Sequence, residues 1–132
     1  MDMHECICGR RATELHHIVF RSKVKALENC KLNHIYLCPN CHRGTVGVHG
    51  RDGNYLDTRL KLQFQNKLEI MLDKEQLTKT EINQVLKISE NSLDKLLKTV
   101  KVQRNKYTRE DVIRQCMGGK LILEGDVNVL YR

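Results

Sequence analysis

The sequence predicts an α+β fold in which a small part rich in cysteine and histidine precedes a mainly helical part. Five of the six histidines and three of the six cysteines lie within residues 14–50, next to two short apolar runs typical of strands. Helical periodicity begins only near residue 56. A chain of 132 residues can form one compact domain or two very small ones. Domains this small usually need a metal ion or disulfides for stability.

The composition favours an anionic partner and a reducing compartment. The formal net charge is +7, which suits nucleic acid, although a lysine-rich solvated surface is the simpler alternative. The sequence shows neither an N-terminal apolar run with a cleavage site nor an apolar stretch of membrane-spanning length. We therefore expect a cytoplasmic protein that does not bind membranes. In that setting clustered cysteines indicate metal ligands rather than disulfides.

The first element is a cysteine pair. Cys6-Ile7-Cys8-Gly9 resembles half of a zinc site, because the glycine lets the backbone turn its amides towards the thiolates. The spacing is one residue shorter than the usual Cys-x2-Cys. His4 is an alternative ligand.

Two short strands are predicted next. Residues 15–20 are rich in β-branched and aromatic side chains, and Ile35 to Leu37 form a second run that leads to Cys38 and Cys41. The polar residues 21–33 between them predict a loop, and the glycines at 44, 47, 50 and 53 predict a turn region. Because neighbouring strand residues face opposite sides, the first strand must end or bend if His16 and His17 share a site.

A longer helix and a domain boundary follow. From residue 56 to 76 apolar residues recur at helical spacing, which predicts one amphipathic helix. Thr78 with Glu81 three positions later has the pattern of a capping box, which starts a new helix. The sequence therefore predicts one domain over residues 1–77 and a second over residues 78–132.

The second domain begins with two short helical patterns. Ile82 and Leu86 mark the first pattern, Leu93 and Leu97 mark the second, and Ser89 is placed to cap the second. Two helices joined by so short a turn predict a helix-turn-helix with the second helix as the recognition helix. Six basic residues and no acidic one lie from residue 95 to residue 109, both ends included, which suits contact with DNA phosphates. The predicted contacts are Lys95, Lys98, Lys101, Arg104 and Lys106.

The end of the chain predicts one more helix. Thr108 is placed to cap a helix over residues 109–117, which Gly118 and Gly119 end. Residues 120–131 alternate loosely, which predicts a strand or hairpin.

The cysteines and histidines can form two separate metal sites. Four thiolates, from Cys6, Cys8, Cys38 and Cys41, suffice for a tetrahedral structural zinc ion. A second divalent ion could be bound by three imidazoles, those of His16, His42 and His49. His17 would then remain as a base, because neutral imidazole can take a proton from water near neutral pH. In the alternative interpretation His16 and His17 are zinc ligands themselves and His42 is a surface residue.

More than six residues occur in the order typical of a known family. His16-His17-Ile18, Asn33, Leu37-Cys38-Pro39-Asn40-Cys41-His42 and His49 resemble the HNH endonucleases. That resemblance covers roughly residues 5–50 and implies a ββα-metal core with metal-dependent cleavage of DNA phosphodiesters. Carried over by position, it implies that His17 is the general base, that Asn33 is the central asparagine, and that His16, His42 and His49 hold the catalytic ion, such as Mg²⁺ or Mn²⁺. Because six residues separate His42 from His49, the glycine-bearing loop must fold back.

The combined interpretation is a zinc-stabilised DNA endonuclease with an appended DNA-binding domain. Such an architecture resembles small enzymes of phages or mobile elements that act in a bacterial host cell. Arg21 and Arg43 are candidates for contact with the scissile phosphate. Asn33 would hold the loop, orient His17 or complete the metal shell. Double-strand cleavage would need a homodimer or two successive events.

Two other classes of function remain open. A zinc-dependent DNA-binding regulator without cleavage activity explains the thiolates and the helix pair. A protein-interaction scaffold is a third alternative, and its binding would depend little on salt.

Overall fold

The computed structural model describes residues 4–123 and 125–126, which contain short strands and α-helices. The strands are β1 (His4–Glu5), β2 (Arg11–Ala12), β3 (Glu14–His17), β4 (His34–Leu37), β5 (Gln76–Leu77), β6 (Val102–Gln103) and β7 (Lys106–Thr108). The helices are α1 (Pro39–Arg43), α2 (Asn54–Met71), α3 (Lys79–Leu86), α4 (Glu90–Leu97) and α5 (Arg109–Cys116). The predicted mixed α and β class is confirmed. Within the described ranges, no helix has both the length and the apolar character needed to cross a membrane.

The chain divides into two compact units. The first contains residues up to 18, residues 34–62 and the chain from 122 onwards, and the second contains residues 19–33 and 63–121. This division differs from the predicted boundary between residues 77 and 78. The observed boundary between residues 62 and 63 falls inside α2, and residues 19–33, between β3 and β4, belong to the second unit.

The first unit is built from two antiparallel strand pairs and a short helix. β1 pairs with β2, and β3 pairs with β4 in a register that places Glu14 opposite Leu37 and His17 opposite His34. α1 follows β4 after a single residue, Cys38, whose sulfur caps the helix. The order of two strands and a helix places β3, β4 and α1 next to one another in this unit.

The first strand of the β3–β4 pair ends earlier than predicted. It stops at His17 rather than Phe20, because the backbone of Val19 is bonded elsewhere. Asn33 Oδ1 accepts from Val19 N at 2.7 Å, and Asn33 Nδ2 donates to Val19 O at 3.0 Å. A side chain therefore replaces the neighbouring strand as the partner of this backbone.

The second unit contains the predicted pair of short helices. Thr78 and Glu81 form the predicted capping box, and Ser89 caps α4 through a bond from Ser92 N. Lys87 has a left-handed conformation with φ of 51°, and the Asn83 side chain bonds both N and O of Ile88 in the turn. The three residues between the helices are therefore held firmly. The apolar core around them includes Ile82, Leu86, Leu93, Leu96, Val112 and Ile113.

A three-stranded sheet in the second unit was not predicted. β7 lies between β5 and β6, antiparallel to both. Arg104 and Asn105 connect β6 to β7 with φ of 53° and 62°, the left-handed pair of conformations that closes two-residue hairpins. The hairpin occupies part of the basic segment that the sequence had suggested only as a phosphate contact.

Other boundaries differ in detail. α2 begins at Asn54 and ends at Met71, five residues before the predicted end, and Arg109 donates to the last carbonyl groups, those of Glu69 and Leu72. α5 begins at Arg109 as predicted, but the Thr108 side chain forms no capping bond. Of the strand or hairpin predicted over residues 120–131, residues 120–123 form no regular element, and the rest lies largely outside the described residues.

Candidate metal centres

The four predicted zinc ligands form one cluster in the first unit. Their sulfur atoms all lie within 4.8 Å of one another, with Sγ of Cys8 and Cys38 separated by 3.6 Å. Such a group could hold a metal ion such as zinc, for which four cysteine thiolates are a common tetrahedral set.

The thiols of the cluster come in two pairs, each held by the local backbone. Cys6 and Cys8 lie in the turn between β1 and β2, where Gly9 N donates to Cys6 O and Gly9 has φ of 88°. Cys38 and Cys41 lie at the start of α1, where Cys41 N donates to Cys38 Sγ at 3.4 Å. The shortened Cys-x-Cys spacing is thus compatible with a four-sulfur cluster. His4, the alternative ligand, instead stacks on Tyr36 with ring centroids 3.8 Å apart.

The thiols influence one another's ionisation. The bond from the Cys41 amide lowers the pKa of Cys38 to about 7, whereas burial and the neighbouring thiols raise the pKa of Cys41. Without a cation one thiolate can form readily, but several adjacent thiolates repel one another. A divalent cation removes that repulsion, which is why this donor set fits zinc.

A second cluster contains three histidines. One ring nitrogen each from His16, His42 and His49 lies within 4.8 Å of the other two. The ring centroids are 4.8 to 5.1 Å apart and the rings meet edge-on. His16 comes from β3, His42 from α1, and His49 from the loop after α1. The alternative interpretation made His16 a ligand of the zinc site, but in the structure His16 groups with His42 and His49 and not with the cysteines.

The loop after α1 brings His49 back to His42. Val48 N donates to Cys41 O at 2.8 Å, and His49 N donates to His42 O at 2.9 Å. The path is tight: a Cβ on Gly50 would lie 1.8 Å from the carbonyl oxygen of Gly44. Glycine at position 50 therefore permits the fold-back that the sequence required.

A carboxylate that the sequence analysis did not identify orients His42. Glu14 Oε1 accepts a hydrogen bond from His42 Nδ1 at 2.8 Å, and both Glu14 oxygens accept from the Arg43 guanidinium at 3.0 to 3.1 Å. Since an ionised carboxylate only accepts, Nδ1 carries the proton and Nε2 is left as the metal-binding atom. The available signal was the spacing, because Glu14 and His16 are two residues apart on one strand and share a face.

Arg43 supports the histidine cluster through its hydrogen bonds to Glu14. Arg43, and after it His42, lowers the pKa of the Glu14 carboxyl, so the carboxylate stays charged at neutral pH. The guanidinium of Arg43, predicted to contact the scissile phosphate, is thus bonded to Glu14 in the structure.

Two of the three histidines favour the neutral ring. Burial, and after it the charges of His49 and His42, lower the pKa of His16 to about 3. Burial and then His42 also lower the pKa of His49. Neutral imidazoles are the form that binds metal ions, so His16 and His49 are in the binding form at neutral pH.

His17 and Asn33 lie outside the metal-binding group. His17 is half-buried at the end of β3, and its ring centroid is 4.9 Å from that of the cross-strand His34. Asn33 is buried, with 1% of its surface exposed, and its carboxamide bonds the backbone of Val19 and Leu27. Of the roles suggested for Asn33, these bonds correspond to holding the loop.

The predicted DNA contacts are exposed but divided among elements. Lys95 lies on α4, Lys98 follows it, and Arg21 lies in the segment between β3 and β4. Lys101, Arg104 and Lys106 lie on the β6–β7 hairpin or immediately before it. None of these six forms an ion pair with a residue that the structure describes. Arg109, also in the basic segment, is half-buried and bonded to α2, so it supports the fold instead.

The second helix of the pair is less basic than its position in the sequence suggested. Its exposed residues include Glu90 and Asp94, and Asp94 pairs with Lys79 at 2.8 Å. The first turns of α4 are therefore acidic, and the unpaired cations concentrate at its end and on the hairpin.

Comparison with known proteins identifies no relative. No protein-family model matches the chain, no curated protein matches it, and no solved structure matches it. What the two clusters can do is therefore inferred from their residues and geometry.

Proposed function

We propose that the protein is a zinc-stabilised, metal-dependent DNA endonuclease. The observation that carries the proposal is the group of three histidines on β3, α1 and the following loop, with His17 adjacent in sequence to one of them. Three imidazoles with an outer carboxylate on His42 are a donor set for a catalytic ion that keeps open positions for water and substrate. The order of strand, strand and helix resembles the ββα-metal core of HNH endonucleases.

In this proposal the histidines have separate tasks. His16, His42 and His49 would hold a divalent transition-metal ion, because imidazole suits such ions better than Mg²⁺, and the ion would supply Lewis-acid stabilisation of the charge developing on phosphate oxygens. His17 accepts the proton of the attacking water through a ring nitrogen, and the water oxygen forms the new bond to phosphorus while the bond from phosphorus to the 3′ oxygen breaks. The departing 3′ oxygen takes a proton from solvent. Asn33 acts as a positioning residue, because its bonds to Val19 fix the chain that leaves β3 directly after His17.

The cysteine cluster would bind a structural zinc ion. The four thiolates join the β1–β2 turn to the start of α1, the helix that carries His42. Because bound metal stabilises only the folded arrangement, zinc would hold α1 in place for the histidine site.

The second unit would hold the DNA duplex. α3 and α4 have the connection expected of a helix-turn-helix, but four of the predicted phosphate contacts, Lys98, Lys101, Arg104 and Lys106, follow α4 instead of lying on it. Type I′-like closure at Arg104 and Asn105 places a cation at the hairpin tip. We propose that the hairpin contacts phosphates and that the acidic start of α4 contributes less than a recognition helix usually does.

The test is cleavage of supercoiled plasmid by zinc-loaded protein with a panel of divalent ions. The variant His17→Ala should retain its zinc content and fold but lose at least about 100-fold in nicking rate, since general-base catalysis is worth about 10²- to 10⁴-fold. His4→Ala is the matched control, because that histidine stacks on Tyr36 outside both clusters, and it should cut at the parental rate. Parental cleavage by a folded His17→Ala variant would refute the assignment.

A zinc-dependent DNA-binding regulator is the second candidate. The observations that favour it are the cysteine cluster and the exposed cations of the hairpin, neither of which requires catalysis. Counting metal ions separates the candidates: the regulator would bind one ion tightly and show no divalent-dependent nicking at any pH, whereas the endonuclease binds a second ion at the histidines.

A further inference from the structure

We propose that the second unit contains a phosphate-binding cavity formed by residues 23–29, α4 and the end of α5. The cavity has a volume of about 410 Å³, within the range of about 300–1,000 Å³ typical of small-molecule sites. The proposal concerns the second unit alone and does not depend on cleavage by the histidine site. The lining of the cavity includes Lys23, Lys25, Glu28, Asn29, Ser92 and Lys95.

The charge of the lining selects for anions. Lys23, Lys25 and Lys95 are exposed at the cavity, and none of them forms an ion pair within the described part of the chain. Glu28 is the acidic residue of the lining, so three lysines against one glutamate leave an excess of positive charge. Ammonium groups bind phosphate as point charges that can adapt to its position.

Residues 23–29 form one wall of the cavity and carry Lys23 and Lys25, and this segment is held by specific hydrogen bonds. Lys23 N and Val24 N both donate to Phe20 O, at 2.9 and 3.0 Å, and Leu27 is fully buried. The thiol of Cys30 donates to Leu86 O at 3.3 Å, which ties the end of the wall to α3. A wall held in this way needs little reordering when a ligand binds, which favours affinity.

The opposite side is formed by α4 and by the turn after α5. Lys95 and Ser92 face the cavity from α4, one helical turn apart. Gly118 has φ of +81°, a conformation that side chains rarely adopt, and a Cβ there would lie 3.5 Å from Lys23 Cβ. The glycine therefore lets the chain turn beside the lysine without narrowing the cavity.

The ligand chemistry is a phosphate ester accompanied by neutral hydrogen-bonding groups. The amides of Asn29 and Gln115 and the hydroxyl of Ser92 offer donors and acceptors around the lysines. Two sources present this chemistry, the phosphodiester backbone of DNA and a free mononucleotide. They differ in salt dependence, because only the polymer releases condensed counterions when it binds.

The test uses the zinc-loaded full chain in the absence of added catalytic ions. Amide resonances are followed by NMR during titration with inorganic phosphate, with deoxyadenosine monophosphate and with a short DNA duplex, each at several salt concentrations. We expect saturable shifts for residues 23–29, 92–96 and 115–119 with the mononucleotide, the duplex or both. The response to one and not the other identifies the source.

Two triple variants with equal loss of charge make the test specific. Lys23→Gln/Lys25→Gln/Lys95→Gln should weaken binding of the responding ligand by at least about tenfold. Lys31→Gln/Lys67→Gln/Lys87→Gln removes three exposed cations that do not line the cavity, and this variant should bind nearly as the parent does. For DNA, the slope of log affinity against log salt should fall by about 2 to 3 in the first variant only.

The outcomes that overturn the proposal are equally definite. Absence of shifts at the cavity with all three probes refutes the site, and so does an equal effect of both triple variants. A chain that cuts no DNA but shows the cavity shifts and their loss would refute the endonuclease and leave this site supported. A chain that cuts DNA but shows no shifts at the cavity would refute this site and leave the endonuclease supported.

Discussion

Replacing Glu14 with alanine tests whether this carboxylate supports the histidine cluster. Glu14 accepts from His42 Nδ1 at 2.8 Å and holds Arg43 through both oxygens. Outer carboxylates that orient a metal-binding imidazole are worth about 10- to 100-fold in metal affinity. We expect Glu14→Ala to bind Mn²⁺ at the histidines about 10- to 100-fold more weakly, as measured by calorimetric titration of zinc-loaded protein near neutral pH.

Two further variants separate the causes of that loss. Glu14→Gln keeps an acceptor for His42 but removes its charge, and since charge-assisted bonds are about twice as strong as neutral ones, we expect a loss nearer tenfold. Arg43→Ala keeps the bond between Glu14 and His42, and because its exposed ion pair contributes little, we expect a change of about fivefold at most.

The result that would refute this reasoning is parental Mn²⁺ affinity in Glu14→Ala together with loss of binding in His42→Ala. Zinc content and the circular dichroism spectrum serve as controls for folding. A combined Glu14→Ala/His42→Ala variant should be no worse than His42→Ala, because the carboxylate acts through that ring.

Substitutions of Asn33, Gly50 and His16 test three other features of the structure. Asn33→Ala leaves the buried N–H and C=O of Val19 without their side-chain partner, at about 1–3 kcal/mol for each group, so urea unfolding should show a loss of at least about 2 kcal/mol, and a smaller loss would contradict the role of the carboxamide. Gly50→Ala places a methyl group against the Gly44 carbonyl, so Mn²⁺ binding should weaken while zinc content persists; parental Mn²⁺ affinity would show that the loop can relax. When the histidine site holds no metal, the lowered pKa of His16 means that below pH 6.5 the unfolded chain binds a proton that the folded chain does not. The contribution of neutral His16 to the free energy of unfolding is therefore complete above pH 6.5 and falls by about 1.4 kcal/mol per pH unit as the pH drops below that value. His16→Asn should lack this part of the slope in urea titrations between pH 5 and pH 7, and identical slopes would refute the assignment.

Much of the local structure could be predicted from the sequence. Thr78 and Glu81 formed the capping box that their spacing indicates, and the helices after them lie where the apolar periodicity placed them. The membership of both metal-binding groups was also predicted, because cysteine and histidine are few and Cys38 and Cys41 are brought together by a single turn of backbone. The capping box, the helices and the Cys38–Cys41 pair depend on residues within a few positions of one another.

Features that depend on distant residues needed the tertiary structure. The contact of Glu14 with His42 joins residues 28 positions apart, and it exists only because β3 and α1 are neighbours in the first unit. The early end of β3 depends on Asn33, whose side chain takes the backbone of Val19 out of the sheet. Neither pairing has a signature in local composition.

The sequence by itself determined the chemistry available to this protein: six thiols, six imidazoles and an excess of cations. The tertiary structure decided how these groups are used. It returned His49 to His42 through close backbone contacts, bonded Arg43 to Glu14, and placed the basic segment after α4 on a hairpin with Arg104 in its turn. The physical reason is that side-chain type is local, whereas burial, pairing and close approach are set by parts of the chain that meet only on folding.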